Sequence, residues 1–530
     1  MLLQSTVRAL GVRGAAPVGV SARHRSTAAA TPLDATAAAD AAAARSAEWE
    51  RAKPYHAIPG PKPFPLLGNL PRLLPKIGQY GKYEIMDMQK QLRKDFGDIV
   101  RVSKIPGRKD MLFLFDPKTA EKMLRNEGVW PIREGIKTLH YYRTVLRKDK
   151  YEGVYGTITS QGKEWQDFRS KVNQPLMQPR SARRYFAPID EVAQDFIGRM
   201  RDLRDENMEL PAGFINELYK WSLESIALVA LDTRLGCLAP NLAPDSEPQR
   251  MIDAVQVMFE GFYKLDLQPS LWRLVSTPMW RRLVHAFDYF YDVAEKYVDE
   301  AVAKQKTNPD KEPSILERLM KEDPRVAKVM ASDMLFGGVD TTSHLAASLL
   351  FHLAKYPNVQ RKVGEEVRRV LPAKRSPVTE DAMEQMTYLK ACLKESLRVF
   401  PIAMGNIRET QKDIVLSDYQ VPKGVDVFLC HMVMSHDEQH YPRPMAFEPE
   451  RWLRGGPQAH TAHPFTTMPF GFGPRTCVGR RFAELEVLTL VAKVLRNFWV
   501  EYHHGDQIEF SSRSINTVTL PLKFRLVDHE

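Results

Sequence analysis

The stretch Phe470-Gly-Phe-Gly473-Pro-Arg475-Thr-Cys477-Val-Gly479 sets one cysteine between a glycine-bearing turn and an apolar run, Phe482-Ala-Glu-Leu-Glu-Val-Leu-Thr-Leu-Val491. The run has helical spacing, so Cys477 falls near a helix N-terminus, where backbone N–H groups and the dipole favour a thiolate. Gly471, Gly473 and Gly479 let the backbone turn sharply and approach something flat and bulky. Arg475, two residues before the sulfur, can reach an anionic group on that object. A lone cysteine beside a turn is ordinarily a buried structural thiol. The ten residues together favour a ligand.

Four further patterns lie outward from this loop. Met334-Leu-Phe-Gly337-Gly338-Val-Asp340-Thr341-Thr342-Ser-His344 sits inside a long helical pattern. Two adjacent glycines there cost roughly 1 kcal/mol each relative to alanine, so something must offset them. Glu395-Ser-Leu-Arg398 places an acid and a base at i and i+3 on one helix face, and Phe447-Glu-Pro-Glu-Arg451-Trp452 follows in a later loop. Trp165-Gln-Asp-Phe-Arg169 spans one helical turn, and Arg408 follows Arg398 by ten residues. Lys390 and Lys394 share one side of the helix that carries Glu395, and Arg480 and Arg481 follow the cysteine loop directly.

In this order and spacing, over roughly residues 55–530, the chain resembles the cytochrome P450 family. The resemblance implies a mainly α single-domain thiolate-haem fold with small β-sheets. It makes Cys477 the axial ligand of haem b iron, beside Phe470 and the turn glycines. Gly337 and Gly338 would open a groove for dioxygen, with Thr341 beside the bound oxygen and Asp340 delivering protons. Arg475, Arg408, Trp165 and Arg169 would hold the two haem propionates. Glu395, Arg398 and Arg451 would form a structural clasp behind the cysteine loop. Leu-Lys-Ala-Cys-Leu-Lys-Glu (389–395) and Cys-Val-Gly-Arg-Arg (477–481) look like the mitochondrial branch, in which such cations dock an adrenodoxin-like 2Fe–2S ferredoxin. Wording such as Phe-Glu-Gly-Phe-Tyr and Trp-Pro-Ile-Arg-Glu-Gly resembles arthropod mitochondrial members, which act on xenobiotics or ecdysteroids or in cuticle formation. The implied activity is monooxygenation of a lipophilic substrate with O2, driven by NADPH through a ferredoxin reductase and that ferredoxin. A redox-independent isomerase or a haem sensor is the alternative, and neither needs the Asp–Thr pair.

The bulk properties agree. Hydrophobic and charged contents of 44% and 26% are ordinary for a globular protein. Cys237, Cys392, Cys430 and Cys477 are dispersed without paired spacing, which argues against a disulfide framework or zinc site. A formal charge of +10 without a basic tract or nucleic-acid motif suits an acidic protein partner or an anionic membrane surface. The first 33 residues carry Arg8, Arg13, Arg23 and Arg25, many Ala, Ser and Thr, and no acid before Asp34. That is the profile of a mitochondrial transit peptide. Residues 34–52 read as a low-complexity spacer and 53–530 as the catalytic domain, opened by the proline-rich Pro59-Gly-Pro61-Lys-Pro63-Phe-Pro65. No apolar run is long enough to span a bilayer, so peripheral contact with the matrix side of the inner membrane is expected, through Leu267 to Arg282. Candidate pocket walls come from 135–160, Phe259 to Tyr263, Met334, Val339, Ile402 to Met404 and Ile515 to Thr519.

Overall fold

The computed structural model describes residues 47–240, 242–305, 313–456, 459 and 461–529. The expected transit peptide and residues 34–46 of the spacer lie outside the described residues. Residues 47–51 are helical within one unit, Met1–Ala52, and Lys53–Glu530 forms a second compact unit.

In that second unit the longer helices are α1 (Ile85–Phe96), α2 (Pro117–Arg125), α3 (Gly162–Met177), α4 (Phe186–Leu203), α5 (Ile215–Leu231), α6 (Glu247–Gly261), α7 (Pro278–Gln305), α8 (Pro324–Lys355), α9 (Pro357–Val370), α10 (Thr387–Val399) and α11 (Arg480–Asn497). Helix α8 is the axis of the core. Its 32 residues span about 48 Å, and they are buried on nearly every side, the signature of a helix enclosed by others. Its start is fixed by Pro324 in the first turn and by the Asp323 carboxylate, which accepts the Arg325 N–H at 3.1 Å. It stops at Tyr356 because Pro357 disfavours helical backbone in the residue before it. Helix α5 is pinned along α8 by two hydroxyls: Ser222 Oγ donates to Gly338 O at 2.8 Å, and Ser343 Oγ donates to Leu218 O at 3.0 Å. The closing helix, α11, packs against α4 and α8.

The strands form small sheets. β1 (Ile99–Val102), β2 (Met111–Leu114), β6 (Asp426–Leu429) and β3 (Asn406–Glu409) form a four-stranded sheet in the order β1-β2-β6-β3, with β2 and β6 parallel. β4 (Ile414–Leu416) pairs with β5 (Tyr419–Val421), β7 (Phe498–Glu501) with β10 (Arg525–Asp528), and β8 (Phe510–Ser512) with β9 (Asn516–Val518). The mainly α architecture with small sheets is the one implied by the sequence. Among the described residues no helix is long and apolar enough to cross a membrane.

Candidate active site

The cysteine loop is a 3-10 turn, Gly473–Arg475, leading to α11. Cys477 N–H donates to Phe470 O at 2.8 Å and closes the loop. Gly471 and Gly473 have φ of +74° and +70°, the left-handed region where glycine is favoured. The close approach at Gly473 is to the protein itself, because a Cβ there would lie 2.5 Å from Glu127 Oε1. At Gly479, by contrast, a Cβ would meet nothing within 4 Å. Cys477 is exposed, whereas Cys237, Cys392 and Cys430 are buried. Although the residue keeps an accessible face, protein packed around its sulfur raises the thiol pKa, outweighing the Gly479 N–H, the Arg169 and Arg133 charges and the Arg480 N–H. Local helix electrostatics alone do not make this cysteine a thiolate.

Arginines surround the sulfur. The Arg475 guanidinium lies 4.0 Å from the Trp165 ring centroid and donates to Pro131 O, Thr157 O, Ser160 O and Gln161 Oε1 at 2.8–3.2 Å. Arg169 donates to Thr476 O at 2.8 Å, and its buried Nε has no partner among the described residues. Arg408 pairs with the buried Glu127 and donates to Phe472 O at 3.2 Å. A fourth guanidinium, Arg133, was missed in the sequence reading. Its backbone is fastened by Gln161: Arg133 N–H donates to Gln161 Oε1 and Gln161 Nε2 donates to Arg133 O, both at 2.8 Å. Burial and mutual repulsion lower Arg475 to about 8 and Arg133 to about 10. Arg133, Arg169 and Arg408 all lie within electrostatic reach of Arg475, and Glu127, which faces Arg408 and Arg475, is the one carboxylate shown to act there, so the site is short of negative charge. A flat group bearing two carboxylates fits it.

On α8, a Cβ at Gly337 would meet nothing within 4 Å, so this glycine borders open space. Gly338 differs from its neighbour, because a Cβ there would come within 2.7 Å of Ile226 on α5. One glycine leaves room and the other permits helix packing. Thr341 Oγ1 donates to Gly337 O at 2.7 Å, while Asp340 is buried with Oδ1 unpartnered among the described residues. Burial raises the Asp340 carboxyl to about 7. The same helix is tied toward the arginines. Asp333, one turn before Gly337, pairs with Arg143 at 2.6 Å and accepts the Thr157 N–H at 3.2 Å, and Arg475 donates to Thr157 O. Phe336 stacks on Phe259 at 5.1 Å and meets Phe262 edge-on at 5.7 Å. A small void of about 20 Å³, room for roughly one water, lies among Leu139, Tyr142, Arg143, Met258, Phe262 and Phe336.

Glu395 and Arg398 are fully buried on α10, in a bidentate pair at 2.7 and 3.0 Å. Arg451 approaches Glu395 at 3.3 Å, and Trp452 Nε1 donates to it at 2.8 Å, a partner the motif did not announce. Arg398 lies over Tyr441, whose hydroxyl is 3.0 Å from Thr466 Oγ1. The cluster therefore reaches the approach to the cysteine loop through an intermediary. Lys394 is exposed and Lys390 half-buried, and neither makes an ion pair among the described residues. Arg480 pairs with Glu484 at 3.0 Å, and Arg481 donates to Met177 O at 2.7 Å, so both guanidiniums are partly engaged within the chain. In the segment expected to touch a membrane, Trp272 is buried against Trp280 at 4.7 Å, while Leu271, Leu274 and Val275 are exposed.

Comparison with known proteins supplies the context for this geometry. The family model described as Cytochrome P450 matches residues 58–527. The probable cytochrome P450 301a1, mitochondrial, of Drosophila melanogaster is 40% identical over 526 residues, covering 97% of this chain and 95% of that protein. Cytochrome P450 CYP12A2 of Musca domestica is 41% identical over 504 residues, with 92% and 93% covered. The probable cytochrome P450 12a5, mitochondrial, of Drosophila melanogaster is 41% identical over 498 residues, with 91% and 92% covered.

Proposed function

Because the chain belongs to the cytochrome P450 family, we propose that this mitochondrial haem-iron monooxygenase oxidises a lipophilic xenobiotic or steroid. Its electrons come from NADPH through a ferredoxin reductase and an adrenodoxin-like ferredoxin. Haem b, held through Cys477, supplies oxygen activation for RH + O2 + 2e⁻ + 2H⁺ → ROH + H2O. Arg133, Arg169, Arg408 and Arg475 would bind its two propionates, with Trp165 holding the Arg475 guanidinium 4.0 Å from its ring centroid. Thr341 holds a hydroxyl at the oxygen side, and Asp340 stores the proton. A carboxyl poised near neutrality suits proton delivery, since it is both charged and discharged within the working range.

That buried Asp340, beside Thr341 and the open Gly337, is the observation that favours monooxygenation over a redox-independent isomerase or a sensor. Neither of those needs a proton store. The aromatic cluster of Phe259, Phe262 and Phe336 at α8 supports a lipophilic substrate. Exposed Leu271, Leu274 and Val275 support peripheral contact with the inner membrane from the matrix side.

Reconstitution with ferredoxin, reductase and NADPH tests the activity. Hydroxylation that requires both NADPH and O2 is the expected result across a lipophilic panel, and its absence would favour the isomerase or sensor. Lys390→Glu with Lys394→Glu should raise the ferredoxin concentration needed for half-maximal rate at least tenfold, roughly the scale of losing two interfacial charges. Haem content should be unchanged, because neither lysine has a structural ion-pair partner among the described residues. Arg133→Ala is expected to speed haem loss to apomyoglobin by roughly tenfold, the scale of one charge-assisted hydrogen bond. An unchanged loss rate would remove Arg133 from the propionate site.

A further inference from the structure

A buried ion pair stands between α8 and the arginine cluster. The Arg143 and Asp333 side chains are 4% and 2% exposed, and Arg143 Nη2 donates to Asp333 Oδ1 at 2.6 Å. Both partners also reach the short helix Gly156–Thr159 and the residue before it. Arg143 Nη1 donates to Tyr155 O at 2.8 Å, and the second Asp333 oxygen accepts the Thr157 N–H at 3.2 Å. Gly156 makes that approach possible. Its φ is +85°, and a Cβ there would lie 2.5 Å from Asp333 Oδ2 and 2.7 Å from Arg143 Nη1. The cysteine loop grips the same short helix, because Arg475 donates to Thr157 O at 3.2 Å and to Ser160 O at 3.1 Å. Thr157 is therefore held through its N–H by α8 and through its C=O by the cysteine loop.

The simpler explanation is a pin that fastens α8. Taking two charges out of water is costly, and apolar side chains of similar volume often hold elements together as well or better. What apolar side chains cannot do is orient a peptide group. In this pair each partner spends a remaining group on the backbone of residues 155–157. Two of the four oxygens that accept from Arg475, those of Thr157 and Ser160, belong to the continuation of that backbone. A guanidinium presents its N–H groups in a fixed fork, so the placement of its acceptors decides where the rest of the fork points.

We propose that Asp333, paired with Arg143, is a positioning residue for Arg475: the pair fixes the 155–160 backbone whose carbonyls aim the Arg475 guanidinium at a haem propionate. The proposal rests on the reading in which Arg475 holds that propionate. It gives α8, the helix that carries Asp340 and Thr341, a polar route to the propionate side of the site. Without the pair, the Thr157 N–H loses its acceptor and Tyr155 O loses the Arg143 donor. Arg475 is then fixed by Pro131 O and Gln161 Oε1, and its grip on the propionate weakens.

The test is the rate of haem transfer from the ferric holoenzyme to apomyoglobin, with urea unfolding of the haem-free protein as the control for stability. Arg143→Met with Asp333→Leu removes both charges together and leaves neither one buried alone. It should lose haem roughly tenfold faster than wild type, the scale of one hydrogen bond to a charged group, with the unfolding midpoint held or raised. Arg143→Met with Asp333→Asn returns an acceptor to the Thr157 N–H and should lose haem more slowly than the leucine form. A double-mutant cycle with Arg475→Ala decides the route. Arg475→Ala should itself speed haem loss, and adding Arg143→Met with Asp333→Leu should then change nothing further, because the group it positions is gone. A further tenfold in that background overturns the proposal, and so does wild-type haem retention in Arg143→Met with Asp333→Leu. Should that pair fail to fold, Arg143→Gln with Asp333→Ala takes its place in the cycle with the same expected rates. Arg475→Ala that keeps haem as wild type does would sink the propionate reading itself, and the proposal with it.

Discussion

Cys477→Ser is expected to abolish hydroxylation and to remove the red-shifted band that marks thiolate ligation in the reduced, carbon-monoxide-treated spectrum. The protein should nonetheless fold. The substitution exchanges a single atom, oxygen for sulfur, in a loop closed by the Cys477 N–H to Phe470 O hydrogen bond, so the stability of the haem-free protein should change by no more than about 1 kcal/mol. The arginine cluster does not depend on the sulfur for its hydrogen bonds either, because Arg475 donates to four oxygens of the 131–161 segment. The variant should therefore bind haem more weakly than wild type while failing to activate it, since a serine hydroxyl does not supply the electron density of a thiolate. The other cysteines give the experiment its contrast. Cys237, Cys392 and Cys430 are buried, and desolvation raises each thiol well above its ordinary pKa. Replacing any one of these by Ser should leave the band in place. A band that survives in Cys477→Ser would transfer the ligand role elsewhere and undo the reading of the whole loop.

How much of this was legible in the sequence follows from the range of each interaction. The Glu395–Arg398 pair, the Trp165–Arg169 turn and the Gly337–Thr341 stretch are each local in the chain, so each could be matched as a short motif of the family that the sequence resembles. Arg133 and Glu127 belong to the same charge cluster as Arg408 and Arg475, but hundreds of residues separate them along the chain. Arg133 lies in the family-like wording Trp-Pro-Ile-Arg-Glu-Gly, which does not show what its side chain meets, and nothing around Glu127 marks it out. Trp452 adjoins Arg451 in the sequence without declaring a role, because an indole N–H shows its acceptor only after folding. The two glycines of α8 illustrate the same limit in miniature. Their presence predicted an unusual helix surface, yet only the position of Ile226 shows that Gly338 serves packing while Gly337 faces open space. Parallel pairing of β2 with β6, across more than 300 residues of intervening chain, was equally beyond periodicity.

Glu395→Ala should have the largest effect on folding, a loss of about 3–5 kcal/mol, because it removes the acid between buried cations. Glu395 and Arg398 are fully buried, and the Arg451 side chain is 5% exposed. Without the carboxylate, Arg398 keeps only the carbonyls of Ser435 and Ala446, each at 3.0 Å, and Trp452 N–H and Glu448 N–H lose their acceptor. Domains are typically stable by only about 5–15 kcal/mol, so most of the margin disappears. Glu395→Gln separates charge from shape. Its amide oxygen can still accept, but its NH2 meets donors, so it should fall between wild type and Ala. The effect on chemistry should be indirect. Glu395 reaches the cysteine loop through Arg398, Tyr441 and Thr466, so the fraction of Glu395→Gln that folds and holds haem should turn over at a rate near wild type. Urea unfolding followed by tryptophan fluorescence, with haem-to-protein ratios on the same preparations, measures both parts. A Glu395→Ala protein within about 1 kcal/mol of wild type and fully haem-loaded would show that the buried cations find other partners, since an uncompensated buried charge cannot cost so little.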